Sequence, residues 1–198
     1  MAQIDYFMFT LSPFVYLAGN QLETIAAKHG ATINYKPFAL MQVFEKTGTP
    51  ALPDRHASRK AYRLQELDRI AKMKGLPINK MPAHWPTNPA PSCYGIIAAQ
   101  AAGGGDVGKL CQLILRACWA EEKDIAEDGV VRACLEQSGF DAGLADSGLL
   151  SGAETFARNT EEALSRGVFG APSYLIDDQV FWGQDRLAYV DAYLAGNL

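Results

Sequence analysis

Paired sulfur, clustered histidine and concentrated positive charge are what this sequence has little of. Its 198 residues hold four cysteines, Cys93, Cys111, Cys118 and Cys134, and no C-x-x-C pair among them. No histidine follows a cysteine at metal-ligand spacing, and His29, His56 and His84 form no H-E-x-x-H or comparable arrangement. Structural zinc and dithiol redox chemistry are therefore both unsupported, and no metal is expected. Cys111 and Cys118 lie seven apart in a helical pattern and share one face, which reads as burial of free thiols. Eighteen Lys+Arg against twenty-two Asp+Glu leave a formal charge of -4 with no basic run, which argues against a nucleic-acid partner. No apolar run approaches the roughly 18 residues of a membrane span, so no membrane partner is expected. The opening MAQIDYFMFT places Asp5 where a secretion signal needs basic residues, and the expectation is a cytoplasmic protein.

What is present is an ordinary globular composition, 48% hydrophobic and 20% charged, enough for one substantial core. QIDYFMF at 3–9 is a short aromatic strand ending at Ser12-Pro13. A helix follows, with Ser12 at the N-cap, Pro13 at the first position and Phe14, Leu17, Ala18, Leu22, Ile25 and Ala26 at helical spacing until Gly30. ATINYKPF at 31–38 alternates as a second strand, parallel to the first. From Asp54 to Arg166 every strong periodicity is helical. Ala57, Ala61, Leu64, Leu67, Ile70 and Ala71 form one stripe closed by Gly75, and Val107, Leu110, Cys111, Ile114, Ala117 and Cys118 form another. Ser151-Gly-Ala-Glu154 reads as a capping box opening a helix that Gly167 ends. The proline-dense KMPAHWPTNPAP, residues 80–91, must be irregular and is expected on the surface near a domain junction. APSYLI, the turn Asp177-Asp178 and QVFWG form a hairpin, and a last short helix starts near Gln184-Asp185. This order is the connectivity of an α/β, thioredoxin-like fold with an inserted all-helical domain. Residues 1–45 and 167–198 would form the thioredoxin-like domain and residues 46–166 the helical insertion.

In that fold the first strand delivers the chain to a helix N-terminus, where unpaired N–H groups favour an anion such as a thiolate. Thiol-disulfide enzymes place C-x-x-C at this turn; here the stretch is Ser12-Pro13-Phe14-Val15. Neither end supplies sulfur, so direct disulfide exchange is excluded there and any sulfur must come from a ligand. An ordinary N-cap would also explain Ser12. Gly170-Ala171-Pro172 enters a strand where this fold holds a cis proline, beside backbone groups that can pair with an extended peptide. Trp182-Gly183-Gln184-Asp185-Arg186 brings polar groups to another helix N-terminus, although Trp182 could be core and Asp185 could serve only its helix dipole.

FTLSPFVYLAG at 9–19, GVFGAPSYLIDD at 167–178 and FWGQDRL at 181–187 together resemble the 2-hydroxychromene-2-carboxylate isomerases, in a DsbA-like thioredoxin fold related to the kappa-class glutathione transferases. The resemblance implies glutathione as cofactor, with Ser12 catalytic and hydrogen-bonding its sulfur. It implies that Ala171, beside cis Pro172, pairs with the cysteinyl backbone, and that Trp182, Gly183, Gln184 and Asp185 hold the γ-glutamyl end. A hydroxyl that donates to a bound thiolate stabilises its charged form and lowers its pKa. The implied reaction turns 2-hydroxychromene-2-carboxylate into trans-o-hydroxybenzylidenepyruvate by reversible thiolate addition. Asp54, Arg55 and Trp85 fall at substrate-contacting positions, where Arg55 would bind a carboxylate and Trp85 would stack on a ring. Arg55 shares its surface with Arg59, Lys60 and Arg63 and could be one more solvated charge; Trp85 could only pin its loop. Two positions depart from the pattern. Val15 replaces a serine, and Phe44 stands where a substrate-contacting lysine is expected, with Lys46 two residues on. The partner implied is a small aromatic or conjugated carboxylate, and the resemblance alone suggests a homodimer. A kappa-like glutathione transferase and a non-catalytic module that binds glutathione or peptide are the alternatives.

Overall fold

The computed structural model describes residues 1–198. Strand β1 (Gln3–Met8) lies at the centre of a four-stranded sheet of order β2-β1-β3-β4, parallel to β2 (Thr32–Pro37) and antiparallel to β3 (Ser173–Ile176). A hairpin through Asp177, whose φ is +52°, joins β3 to β4 (Gln179–Trp182). Because β1 is covered on both faces, Phe7 and Met8 are fully buried although they point to opposite sides. Tyr6 faces Tyr35 on one neighbour and Tyr174 on the other, with ring centroids 5.7 and 5.2 Å apart, so one aromatic row crosses three strands. Charged groups pin the same strands: Lys36 of β2 pairs with Glu162, and Arg166 pairs with Asp5 of β1.

Between the first two strands run α1 (Pro13–Ala18) and α2 (Gln21–His29). The single helix expected here is interrupted at Gly19, which sits at φ +64° with its carbonyl accepting from Gln112 Nε2 at 2.6 Å. The apolar spacing runs unbroken across the interruption, which is why it is invisible to periodicity. Helix α3 (Leu40–Thr47) follows β2 and spans the expected division at residue 45.

The intervening residues are helical, as expected: α4 (Ala57–Lys74), α5 (Ala90–Ala102), α6 (Val107–Trp119), α7 (Asp128–Gln137), α8 (Leu144–Ser147) and α9 (Leu149–Ser165). Helix α6 buries Leu110, Cys111, Ile114, Ala117 and Cys118 as its stripe requires. The α4 stripe behaves differently, because only Leu67 and Ala71 are buried while Ala57 and Ala61 are exposed and Leu64 is 37% exposed. The N-terminal half of α4 reaches past the core to border a cleft. The expected capping box is also corrected. Helix α9 begins at Leu149, and the Ser151 hydroxyl donates to the Gly148 carbonyl at 3.3 Å inside the first turn. Close packing sets this start: a Cβ on Gly148 would lie 2.3 Å from that of Ala98, and one on Gly152 would lie 2.7 Å from that of Tyr94, so both glycines let α9 press on α5. The chain ends in α10 (Leu187–Leu194), starting two residues beyond the expected Asp185. A single contiguous core draws on the sheet and on α6 alike. No helix is long and apolar enough to cross a membrane.

Ile114→Ala, at a fully buried position of α6, is expected to cost about 2–5 kcal/mol in denaturant unfolding. Leu64→Ala is expected to stay within about 0.5 kcal/mol, as suits an exposed position. Equal losses would contradict the exposure of the N-terminal half of this α4 stripe to solvent.

Candidate active site

Two indoles build the approach to Ser12. Trp119 donates Nε1–H to the Thr10 carbonyl at 3.4 Å, and Trp85 donates Nε1–H to the Leu11 carbonyl at 3.1 Å. The rings stand 5.6 Å apart at 52°. The Thr10 side chain is buried too; Ser92 Oγ donates to its hydroxyl at 3.0 Å, and that hydroxyl shares a hydrogen bond with Cys93 Sγ at 3.5 Å. The chain therefore leaves β1 through a turn whose carbonyls are satisfied by the helical half of the molecule.

Ser12 occupies the N-cap of α1 in an extended conformation, as its sequence context requires. It is 6% exposed. Its hydroxyl donates to the Ala171 carbonyl at 3.4 Å and accepts from Val15 N–H at 3.4 Å. Both contacts are at the outer limit of hydrogen-bond length, so redirecting the hydroxyl proton to a stronger acceptor sacrifices little. Ala171-Pro172 is a cis peptide, in agreement with the sequence reading. Ala171 N–H makes no hydrogen bond within the protein, whereas the Pro172 carbonyl is taken by Gly183 N–H at 2.9 Å. One backbone donor thus remains available beside the serine.

Ala171 lines a cleft of about 750 Å³ together with Trp182, Gly183, Gln184 and Asp185, on the side facing α4. Trp182 is 51% exposed and meets Phe169 edge-on at 4.7 Å, so it is no core residue. Gly170 has no room for a side chain, because a Cβ would fall 2.3 Å from Trp182 Nε1. Gly183 adopts φ +119°, and a Cβ there would lie 2.6 Å from Asp185 Oδ1.

The opposite wall carries Phe14, Arg55, Arg59, Tyr62 and Arg63. Arg55 is fixed by donating Nε–H to the Pro50 carbonyl at 2.9 Å and by lying 5.5 Å over the Phe44 ring. Arg63 lies 5.6 Å over Trp85. The structure thus brings Arg55 into the cleft and stacks it on Phe44, the residue that stands where a lysine was expected. Lys46 is exposed on the last turn of α3 and Asp54 is exposed beside Arg55; neither lines the cleft. Trp85 does not line it either, but serves as anchor to Leu11 and platform for Arg63. Sequence reasoning treated Arg59 and Arg63 as solvated charges. The available signal was the spacing of Arg59 and Arg63, four apart on α4 and therefore on one face; Arg55 precedes the helix in an extended conformation. Four arginines, counting Arg186, face two carboxylates, and both of those are engaged: Glu66 with Arg69 at 2.7 Å and Asp185 with Arg186 at 3.4 Å. A cleft of positive sign in a chain of net charge -4 suits an anionic ligand.

No protein thiol is available to it. All four cysteines are free and buried, and burial first of all pushes Cys93 and Cys134 up to about 11 and Cys118 to about 12.

A DSBA-like thioredoxin domain matches residues 3–195. The chain belongs to this family. It is 29% identical to 2-hydroxychromene-2-carboxylate isomerase of Sphingobium xenophagum over 96% of this chain and 97% of that one. It is 28% identical to the protein of that name from Pseudomonas putida, over 96% and 92%. Among solved structures, a 2-hydroxychromene-2-carboxylate isomerase superposes with TM-score 0.79 at 26% identity, covering 98% of this chain and 95% of that one. The cytosolic disulfide reductase DsbM of Pseudomonas aeruginosa, in a structure with GSH, has TM-score 0.66 at 19% identity over 98% and 99%, a likeness of fold.

With every thiol buried and its pKa raised, the native protein is expected to react with DTNB only on unfolding, when all four cysteines become titratable. A thiol reacting rapidly in the native state would contradict this assignment.

Proposed function

We propose that this protein is a glutathione-dependent isomerase of a small aromatic or conjugated acid, of the 2-hydroxychromene-2-carboxylate type. Similarity along the whole chain to proteins named for that activity supports an isomerase of this kind. The observation that carries the glutathione reading is the placement of Ser12. It takes the position of a redox cysteine, carries a hydroxyl with two long contacts and, although it does not itself line the cationic cleft, adjoins Ala171, which does and whose backbone N–H is free.

These residues fit an anionic, peptide-like thiol. The unpaired Ala171 N–H suits an extended backbone, and Trp182 to Asp185 offer a polar rim for an amino-acid end. The cleft volume also lies within the usual range of about 300–1,000 Å³ for small-molecule sites. Bound there, glutathione would supply a thiolate able to add to a conjugated carbon and leave again, so that it is regenerated. The chain's own part is electrostatic and positional. Ser12 turns its proton from the Ala171 carbonyl toward the sulfur and favours the charged form. Arg55, immobilised on Phe44 and the Pro50 carbonyl, holds the acid's carboxylate without first having to be ordered. Phe14 contributes an apolar wall beside the serine. A transferase of kappa-like type would use the same serine and pocket but consume glutathione; a binding module would not turn over at all.

Conversion of 2-hydroxychromene-2-carboxylate, followed by absorbance, is expected to require glutathione and to leave its total unchanged. Ser12→Ala is expected to lower kcat/KM by about 10²–10³, the usual consequence of removing one donor to developing charge. Stoichiometric loss of glutathione would establish the transferase instead, and activity undiminished in Ser12→Ala would overturn the role of the hydroxyl.

A further inference from the structure

Trp85 falls where the resemblance implies a ring stacked on substrate, yet it lies outside the cleft and its polar atom is engaged by the backbone. Phe9 to Ser12 form a turn closed by Ser12 N–H, which donates to the Phe9 carbonyl at 3.0 Å. Thr10 and Leu11 are the two central residues of that turn, and Trp85 Nε1–H donates to the second of their carbonyls, that of Leu11, at 3.1 Å. The Leu11 carbonyl and the Ser12 N–H belong to one rigid peptide unit. That plane is therefore held at both edges, by the Phe9 carbonyl on one and by the Trp85 indole on the other. Ser12 hangs from it at φ −97°, and its hydroxyl has only two contacts of 3.4 Å to hold it further. Contacts of that length restrain weakly, so the direction of the hydroxyl follows the plane. The indole is braced in turn. Its ring stands 5.6 Å from that of the fully buried Trp119, and the Arg63 guanidinium lies 5.6 Å from its centroid.

On the reading of Ser12 as donor to a bound thiolate, we infer that Trp85 is a positioning residue for the reaction and makes no stack with the substrate. Its N–H, acting through the Leu11 carbonyl, fixes the peptide plane that aims the Ser12 hydroxyl at the sulfur. Deleting that donor while keeping a ring frees one edge of the plane. The hydroxyl then loses the alignment that a hydrogen bond to the sulfur requires, and the charged form of the thiol loses stabilisation. The walls that hold an aromatic acid are left as they were.

The test compares the wild type with Trp85→Phe, which keeps a ring beside Trp119 and Arg63 and removes the donor. Replacement of Trp85 by β-(3-benzothienyl)alanine serves as the second variant, since it keeps the shape of the indole with sulfur in place of N–H. Circular dichroism confirms that each is folded. Two quantities are read besides turnover: the titration of the glutathione thiol in the complex, by ultraviolet absorbance, and the calorimetric affinity for 2-naphthoate. In both variants the acid dissociation constant of the bound thiol is expected to fall about threefold or more. Displacement of the hydroxyl is expected to lower kcat about tenfold, while 2-naphthoate affinity stays within about twofold of the wild type. A tenfold loss of 2-naphthoate affinity with the thiol titration unmoved would overturn the positioning role and return Trp85 to the substrate. An unchanged thiol titration and kcat in both variants would overturn it as well. A wild-type complex whose thiol titrates at its ordinary value would overturn the serine reading and this role together, and that failure is seen before any variant is compared.

Discussion

The Trp85 indole N–H, 3.1 Å from the Leu11 carbonyl, holds the serine turn in place, with Trp119 adding a longer contact of 3.4 Å to the Thr10 carbonyl, and the rest of the site follows from this anchor. Thr10 and Leu11 direct their carbonyls toward the helical half, where Trp119, in a buried contact, and Trp85, in a partly buried one, supply the donors. A buried carbonyl left unsatisfied costs about 1–3 kcal/mol. The turn and the two helical-region tryptophans are consequently fixed together, and Ser12, one residue on, inherits its position from contacts that lie far away in sequence. The same Trp85 ring supports Arg63. One side chain therefore couples the backbone before the serine to the cationic wall across the cleft.

The sheet supplies the opposite wall by equally local means. The β3–β4 hairpin brings Gly183 N–H to the Pro172 carbonyl, which sets Trp182 to Asp185 beside Ala171. Gly170 and Gly183 make that close approach sterically feasible. Ser12 is then left with two long contacts, neither of which would strongly compete with an anionic acceptor. A fold better known for supplying its own thiolate here offers a hydroxyl donor next to a cleft lined by arginines, an arrangement suited to a thiolate brought in from outside.

Much of the architecture was legible because its signals are local. The aromatic strand before Ser12-Pro13, the alternating second strand, the Asp177 turn and the α6 stripe each follow from residue type at short range, and each is present. Helix α5 was less visible because Ser92, Cys93 and Gly95 to Ala99 are buried almost all round, leaving no polar face to create a period. Helix α4 gave the opposite difficulty. Its alanines and leucines repeat as a core face would, but the N-terminal half of that face, Ala57, Ala61 and Leu64, meets solvent, while Ser58, Arg59, Tyr62 and Arg63 beside it line the cleft. Of the site, Ser12, Ala171 and the Trp182–Asp185 segment could be named from motifs. The partnership of Trp85 with Trp119, 34 positions apart, and the recruitment of Arg59 and Arg63 as lining depend on tertiary approach. Asp54, adjacent to Arg55 in sequence, stays outside because the one-turn helix Leu52–Asp54 points it to solvent.

The central claim is that Ser12 stabilises the thiolate of a bound glutathione, and the most direct measurement is an ultraviolet titration of that thiolate in complex with the wild type and with Ser12→Ala. The account predicts a thiol pKa in the wild-type complex at least one unit below the ordinary value of about 8.5, returning toward that value in Ser12→Ala while binding persists. An unshifted pKa in the wild type, or an equal depression in both proteins, would contradict it.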